Sequence, residues 1–243
     1  MIDIHCHILP AVDDGSGNWS DSLEMARLAQ LSKVSAIVAT PHCHLPGNQV
    51  NAWTAQLEET LETLRAALRR ARVPVALYPG QELFLARGAL ELLRSGGVIG
   101  LNRSRYLLVE FDMEESGRTA YRKLRQVAAE GYVPVVAHPE RYGFVQEDDS
   151  AEFRLKEAGA LIQINKGSFK GYFGRGALVT AHRILGRRLA DFVASDAHSQ
   201  YRRTTVLAEV HEALSERYSL DYADLLLREN PAKVIQNLEI ARD

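Results

Sequence analysis

The chain has 243 residues, of which 46% are hydrophobic and 25% are charged, and its formal net charge is -2. A composition so close to the globular average excludes a disordered chain. The near-neutral charge offers no general attraction for nucleic acid or for an anionic membrane surface. No run of residues approaches the roughly 18 consecutive apolar positions of a transmembrane helix, so no membrane span is expected.

The chain contains only two cysteines, Cys6 and Cys43. Two cysteines are too few for a disulfide framework, so we expect reduced thiols in a cytoplasmic protein. The candidate metal ligands described below begin at His5. Because cleavage of a signal peptide of about 15 residues or more would remove them, no signal peptide is expected.

Short apolar segments alternate with amphipathic segments along the chain. The apolar segments predict seven strands, at 2–5, 36–40, 75–78, 106–111, 134–137, 161–165 and 192–194. Asp21 and Glu24 fit a capping box at the start of a first helix. Further helices are predicted within 52–71, 120–130, 152–158, 177–185 and 204–217.

This alternation predicts an α/β fold of parallel strands joined by right-handed crossovers. Seven strands favour a distorted (β/α)7 barrel, a relative of the TIM barrel, and an open doubly wound sheet is the alternative. Polar side chains follow nearly every predicted strand at its C-terminal end, which is where barrels carry their active sites. With no repeat or linker in the sequence, we expect residues 1–243 to form a single domain.

The polar side chains at the strand ends are of the types that bind metal ions. His5 and His7 are two residues apart, so an extended strand places them on one face. The candidate ligands are His5, His7, Asp14, His42, Glu82, Glu110, His138, Asp196 and His198. The remaining histidines lack this placement and are expected to be ordinary polar residues: His44, His182 and His211.

Imidazoles and carboxylates without thiolates suit Zn, Mn or Fe. The nine side chains are too many for one ion, and they suit two or three. Four carboxylates against three divalent ions leave a positive remainder, which favours a phosphate monoester dianion as substrate. A hydroxide bridging the metals would then attack phosphorus, because metal coordination lowers the pKa of water to about 7.

Several motifs of the chain resemble those of the polymerase-and-histidinol-phosphatase (PHP) superfamily. They are 3–7 (DIHCH) with 13–15 (DDG), 40–42 (TPH), 80–82 (GQE), 138–142 (HPERY) and 194–198 (ASDAH). Segments 1–16, 108–111 and 138–142, with 229–231 (ENP) before a final helix, are similar to the manganese-dependent protein-tyrosine phosphatases of bacterial capsule and exopolysaccharide gene clusters. The resemblance extends from residue 1 to about residue 238.

The resemblance implies a seven-stranded barrel that holds up to three ions, usually manganese, although Zn²⁺, Fe or Mg²⁺ are possible. It assigns a first ion to His5, His7, Glu82 and Asp196, a second to Glu82, Glu110 and His138, and a third to Asp14, His42 and His198. It places phosphate-binding arginines at Arg141 and Arg203, although Arg202 could face the site instead of Arg203. The implied substrate is a phosphotyrosine protein, namely the tail of an autophosphorylated bacterial tyrosine kinase.

Other functions are weighed against this one. A cysteine-dependent phosphatase needs an arginine six positions after its cysteine, but Val12 and Gln49 stand there. A small-molecule phosphatase acting on histidinol phosphate would share the chemistry and differ in the pocket. A non-catalytic metal-binding scaffold would lack some ligand types, and none is missing. A nucleic-acid phosphodiesterase would need a basic stripe with interleaved aromatic residues. One departure from the family concerns the loop 43–48, which lacks the basic residue often found there.

Overall fold

The computed structural model describes residues 1–47 and 52–241. The strands in these ranges are β1 Ile2–Cys6, β2 Ala36–Ala39, β3 His42–Cys43, β4 Ala76–Pro79, β5 Glu82–Phe84, β6 Tyr106–Glu110, β7 Val133–Ala137, β8 Leu161–Asn165 and β9 Phe192–Ala194. The α-helices of the same ranges are α1 Trp19–Leu31, α2 Ala55–Arg70, α3 Ala89–Arg94, α4 Gly117–Ala129, α5 Gly143–Gln146, α6 Ala151–Glu157, α7 Lys166–Phe169, α8 Gly174–Gly186, α9 Ala208–Arg217, α10 Leu220–Asp224 and α11 Asn230–Ile235. None of these helices is long and apolar enough to cross a bilayer.

The strands pair in parallel and form two sheets. One sheet has the order β1-β2-β4, and the other has the order β3-β5-β6-β7-β8-β9. The sheets meet where β2 continues into β3 through Thr40 and Pro41, and where β4 continues into β5 through Gly80 and Gln81. Each pair of segments corresponds to one predicted strand and its C-terminal continuation.

A parallel α/β fold is therefore confirmed, but the closed seven-stranded barrel is not. Between β1 and the residues that follow β9, the described chain shows a single isolated bridge, from Cys6 to Ala197. The two sheets also do not form one uninterrupted hydrogen-bonded ladder in the described ranges. A barrel would require both connections to be continuous.

The prediction of a capping box at Asp21 and Glu24 is wrong. Helix α1 begins earlier, at Trp19, and its N-cap is Asn18, whose side-chain oxygen accepts hydrogen bonds from the backbone N–H groups of Ser20 and Asp21. Asn is as good an N-cap residue as Asp or Ser. Asp21 instead lies in the first turn, where its negative charge interacts favourably with the helix dipole.

The strands are buried on both faces. Alternate residues of β6 illustrate this, since Leu107 and Val109 belong to a large core cluster under the helices. Tyr106 and Leu108 belong to a smaller cluster closed by the C-terminal segment near Val234. Because both faces are covered, the strands are nearly continuous apolar runs, and polar side chains collect at their C-terminal ends.

Candidate metal centre

The nine candidate ligands meet at the C-terminal ends of the strands. Seven of them line one cavity of ≈ 410 Å³, namely Asp14, His42, Glu82, Glu110, His138, Asp196 and His198. His5 and His7 lie beneath them and are almost entirely buried. The parallel arrangement explains this meeting, because it brings residues from distant parts of the sequence to the same edge.

The most buried part of the cluster contains two histidines and two carboxylates. His5 Nε2 lies 3.2 Å from Glu82 Oε1 and 3.3 Å from Asp196 Oδ1. His7 Nε2 lies 3.3 Å from Glu82 Oε2 and 3.5 Å from Asp196 Oδ1. Potential ligand atoms of all four residues in the first expected group therefore face one another.

Glu82 and Glu110 join this part of the cluster to two more histidines. His42 Nδ1 lies 3.0 Å from Glu82 Oε2 and 2.8 Å from Glu110 Oε1. His138 Nε2 lies 3.2 Å from Glu82 Oε1 and 3.9 Å from Glu110 Oε2. Glu82 thus occupies a central position, which is the position expected of a bridging carboxylate.

The outer part of the cluster is built around Asp14, whose Oδ1 lies 3.4 Å from His42 Nε2 and 3.3 Å from His198 Nε2. His7 also has a ligand atom within 4.8 Å of this group. His42 therefore turns Nε2 toward Asp14 and Nδ1 toward Glu82 and Glu110, so its ring lies between two of the three expected groups.

The donor set fits divalent cations. His42 Nδ1, Glu82 Oε2 and Glu110 Oε1 are buried and, within the described chain, have no hydrogen-bond partner. His42 Nδ1 nevertheless lies 3.0 Å from Glu82 Oε2 and 2.8 Å from Glu110 Oε1. Buried polar atoms without hydrogen bonds are costly, and a cation held between them would compensate for that cost.

Burial and neighbouring charges shift the pKa values of these groups in opposite directions. Burial, together with the nearby charge of Glu82, raises the pKa of Glu110 to about 7. Burial lowers the pKa of His138 to about 4, so its imidazole is neutral and able to act as a ligand. The hydrogen bonds from His198 and His42 lower the pKa of Asp14 below its usual range.

Residues outside the predicted set orient the histidines. Asp13 Oδ2 lies 2.7 Å from His7 Nδ1 and accepts a hydrogen bond from the backbone N–H of His42 at 3.0 Å. The Gln163 side-chain oxygen lies 2.8 Å from His5 Nδ1. Such partners fix the ring and its tautomer. The sequence signals were an acid adjacent to Asp14 and a polar residue within the otherwise apolar run 161–164 in β8.

Two of the candidate ligands have unusual backbone conformations. His138 follows β7 with φ 38°, and Asp196 follows β9 with φ 48°. Residues other than glycine seldom adopt this left-handed region, and they cluster at functional sites when they do. Both residues lie at the turn that follows their strand, and both line the cavity.

Arg141 and Arg203 both line the cavity. Arg203 Nη2 forms an ion pair with Asp196 Oδ2, and its Nε donates to the Asp196 carbonyl at 3.1 Å. Arg141 Nη1 lies 3.7 Å from the same carboxylate oxygen. Both guanidinium groups lie over the ring of Phe173, at 4.4 Å and 5.7 Å from its centroid. Arg202 does not line this cavity.

The other histidines and the cysteines have structural surroundings. His44 Nε2 lies 2.8 Å from the Arg87 carbonyl, His182 Nδ1 lies 3.0 Å from the Tyr218 hydroxyl, and His211 Nε2 lies 2.6 Å from Asp224. Both cysteine side chains are buried. Burial raises the pKa of the Cys6 and Cys43 thiols, so neither is a thiolate nucleophile at neutral pH.

Comparison with known proteins provides close relatives. A family model described as "Capsular polysaccharide synthesis, CpsB/CapC" matches residues 1–236. The tyrosine-protein phosphatase YwqE of Bacillus subtilis is 36% identical over 242 residues, covering 100% of this chain and 94% of that protein. The putative tyrosine-protein phosphatase CapC of Staphylococcus aureus is 34% identical, covering 86% of this chain and 82% of that protein.

Solved structures agree with these relatives. A chain from the crystal structures of YwqE from Bacillus subtilis and CpsB from Streptococcus pneumoniae, described as unique metal-dependent tyrosine phosphatases, superposes with a TM-score of 0.92 at 35% identity, covering 100% of this chain and 97% of that one. Histidinol phosphate phosphatase from Lactococcus lactis superposes with a TM-score of 0.56 at 12% identity, covering 93% and 94%. At that identity the second match indicates a shared fold only.

Proposed function

The chain belongs to the CpsB/CapC family, and from this premise we propose that it is a metal-dependent protein-tyrosine phosphatase. The observation that carries the proposal is the pairing of two arginines, Arg141 and Arg203, with a cluster of imidazoles and carboxylates around one cavity. Relatives named tyrosine-protein phosphatases, 36% and 34% identical to the chain, support the substrate class.

The cluster would hold two or three divalent ions. The first would lie among His5, His7, Glu82 and Asp196, the second among Glu82, Glu110 and His138, and the third among Asp14, His42 and His198. Bound ions would supply a Lewis acid that activates water and polarises the phosphate ester. Nitrogen and oxygen donors suit manganese, which we propose as the natural metal, and they also suit zinc or iron.

The arginines would bind the phosphate. A guanidinium group donates two parallel hydrogen bonds to phosphate oxygens, and it remains charged at every physiological pH. Asp196 and Phe173 hold the Arg203 side chain from two sides, which limits the entropy lost when substrate binds. Arg141 lies closer to the Phe173 ring, at 4.4 Å, but its Nη1 is 3.7 Å from Asp196 Oδ2.

Part of the cavity wall is apolar and suits an aromatic ester. Leu45, Pro46, Phe84, Phe111 and Met113 line it, with Asp112 between the last two. A phenyl ring bound there would lose contact with water while its phosphate reached the arginines.

The proposal also covers the barrel fold, the cellular location and the protein partner. The strand order is compatible with a distorted seven-stranded barrel, whose C-terminal face would carry the site. Buried thiols are compatible with a cytoplasmic location. The partner we propose is an autophosphorylated bacterial tyrosine kinase of capsule or exopolysaccharide synthesis, whose flexible tail would enter the open cavity.

The test is phosphate release from a phosphotyrosine peptide and from histidinol phosphate, measured side by side. The protein is stripped with chelator and then supplied with manganese, zinc or magnesium. We expect restored turnover that favours the peptide. Preference for histidinol phosphate would replace the proposed substrate with a small molecule, and absence of turnover with every metal would favour a metal-binding scaffold instead.

A further inference from the structure

A second cavity lies beside the candidate metal centre and is rich in cations. Its volume is ≈ 200 Å³, and its lining includes Lys166, Lys170 and Arg202 together with the tyrosines Tyr172 and Tyr201. The tyrosines are exposed, at 64% and 78% of their surface, so their rings are available to a ligand. None of these residues belongs to the site described above.

The two cavities share a wall. Arg203 lines the metal-centre cavity, whereas its neighbour Arg202 lines the second one. In the same way Phe173 lies under the guanidinium groups of Arg141 and Arg203, whereas its neighbour Tyr172 lines the second cavity. The two cavities are therefore neighbours, linked through two pairs of adjacent residues, 172–173 and 202–203.

The second cavity carries an excess of positive charge. Its only acidic lining residue in the described chain is Glu209, which is already paired with Lys170. Arg202 forms no ion pair with any acidic side chain of the described ranges, so its charge is available. Lys166 is only 6% exposed and donates to the backbone carbonyls of Thr204 and Val206, which holds its ammonium group at the cavity wall.

We propose that this second cavity binds a negatively charged group of the substrate, located beside the phosphotyrosine in the sequence. The inference rests on the proposed tyrosine-phosphatase function and deepens it. An extended peptide advances by about 3.3 Å per residue, so a group about two to four residues from the phosphotyrosine would reach across the shared wall. Either a carboxylate side chain or a second phosphotyrosine would supply the required negative charge.

The experiment compares peptides that differ only beside the phosphotyrosine. One carries glutamates, one carries a second phosphotyrosine, and one carries glutamines, each placed in turn at positions up to four residues away. The measured quantity is the ratio of kcat/KM for an anionic peptide to that for the glutamine peptide. We expect a ratio of about two to five, the range of a partly exposed ion pair, and a decrease of that ratio with rising salt.

Variants of the cavity locate the effect. Arg202→Ala and Lys170→Ala should each bring the ratio toward one, and Arg202→Glu should reverse it. Arg70→Ala, which removes an exposed charge at the end of α2, is the matched control and should keep the parent ratio. Using a ratio cancels any shift that a substitution at Arg202 transmits to its neighbour Arg203.

The outcomes separate this inference from the proposed function. If all peptides are turned over and the kcat/KM ratio is one at low salt, the proposal for the second cavity is wrong and the proposed phosphatase function stands. A ratio above one that survives the Arg202 and Lys170 substitutions would overturn it as well. Absence of turnover on every peptide, including the glutamine peptide, would refute the proposed function and this inference together. Effects seen only with the doubly phosphorylated peptide would assign the cavity to phosphate rather than to carboxylate.

Discussion

Asp13→Asn is expected to weaken metal binding although Asp13 is not among the candidate ligands. Asp13 Oδ2 interacts with His7 Nδ1 at 2.7 Å and accepts from the His42 N–H at 3.0 Å, while its Oδ1 accepts from the Gly15 N–H at 2.9 Å. An asparagine has one oxygen and one NH₂ group. Whichever way its amide is oriented, the NH₂ group would face at least one N–H donor.

The magnitude follows from weakening the partner that holds His7, because an amide oxygen facing His7 Nδ1 lacks the charge of the carboxylate and an NH₂ group there cannot accept at all. Removing an outer partner of a metal-bound histidine typically lowers metal affinity by about 10- to 100-fold, or about 1.4–2.7 kcal/mol. The buried donor left without an acceptor would also lower the free energy of unfolding by about 1–3 kcal/mol. Both effects are predicted for Asp13→Asn, but only the first changes the affinity for metal.

Calorimetric titration of the stripped protein with manganese measures the affinity. Asp224→Asn is the matched control, because it weakens a remote histidine–carboxylate pair, His211 with Asp224 at 2.6 Å, and should leave metal affinity unchanged. The reasoning is refuted if Asp13→Asn binds manganese as tightly as the parent protein, or if the two variants lose affinity equally.

Other predictions concern the same site. Removing metal with chelator should lower the melting temperature by about 5–10 °C. A ligand at 100 times its Kd stabilises the protein by about 2.7 kcal/mol, and each kcal/mol shifts the melting temperature of a chain of this size by about 2–4 °C. Scanning fluorimetry measures the melting temperature before and after metal is restored, and equal temperatures would contradict the prediction. His138→Ala should reduce turnover by more than about 100-fold and lower bound metal, with an unchanged circular dichroism spectrum. Arg141→Ala should reduce kcat/KM by about 10- to 150-fold with full metal content, and loss of metal in that variant would show that Arg141 supports the cluster instead. Gly15→Ala should destabilise the protein by about 1–3 kcal/mol, because a Cβ there would lie 2.3 Å from the His7 carbonyl oxygen, and a parent-like melting temperature would contradict this.

The elements of the fold were largely predictable from local patterns. Strands β8 and β9 have the predicted bounds, 161–165 and 192–194, because a short apolar run between turns leaves few alternatives. The division into two sheets was not predictable, since it depends on breaks at Thr40–Pro41 and Gly80–Gln81 that end one ladder and begin another. The start of α1 was also missed, because several residues near Asn18 have side chains able to cap a helix.

Chain order determined which side chains could meet at the site. Residues at the C-terminal ends of parallel strands share one edge, and residues two apart in a strand share one face, so His5, His7 and the ligands on later strands were visible as a group. These rules depend only on backbone geometry. They required no knowledge of how the side chains pack.

Only the tertiary structure decided how those side chains are arranged. The two ring nitrogens of His42 face different carboxylates, Asp13 rather than solvent holds His7, and Arg203 rather than Arg202 lines the cavity. Each of these outcomes depends on rotamers and distances that are set by three-dimensional packing. Adjacent residues such as Arg202 and Arg203 have nearly the same sequence environment, so only packing can direct one into the metal centre and the other into the second cavity.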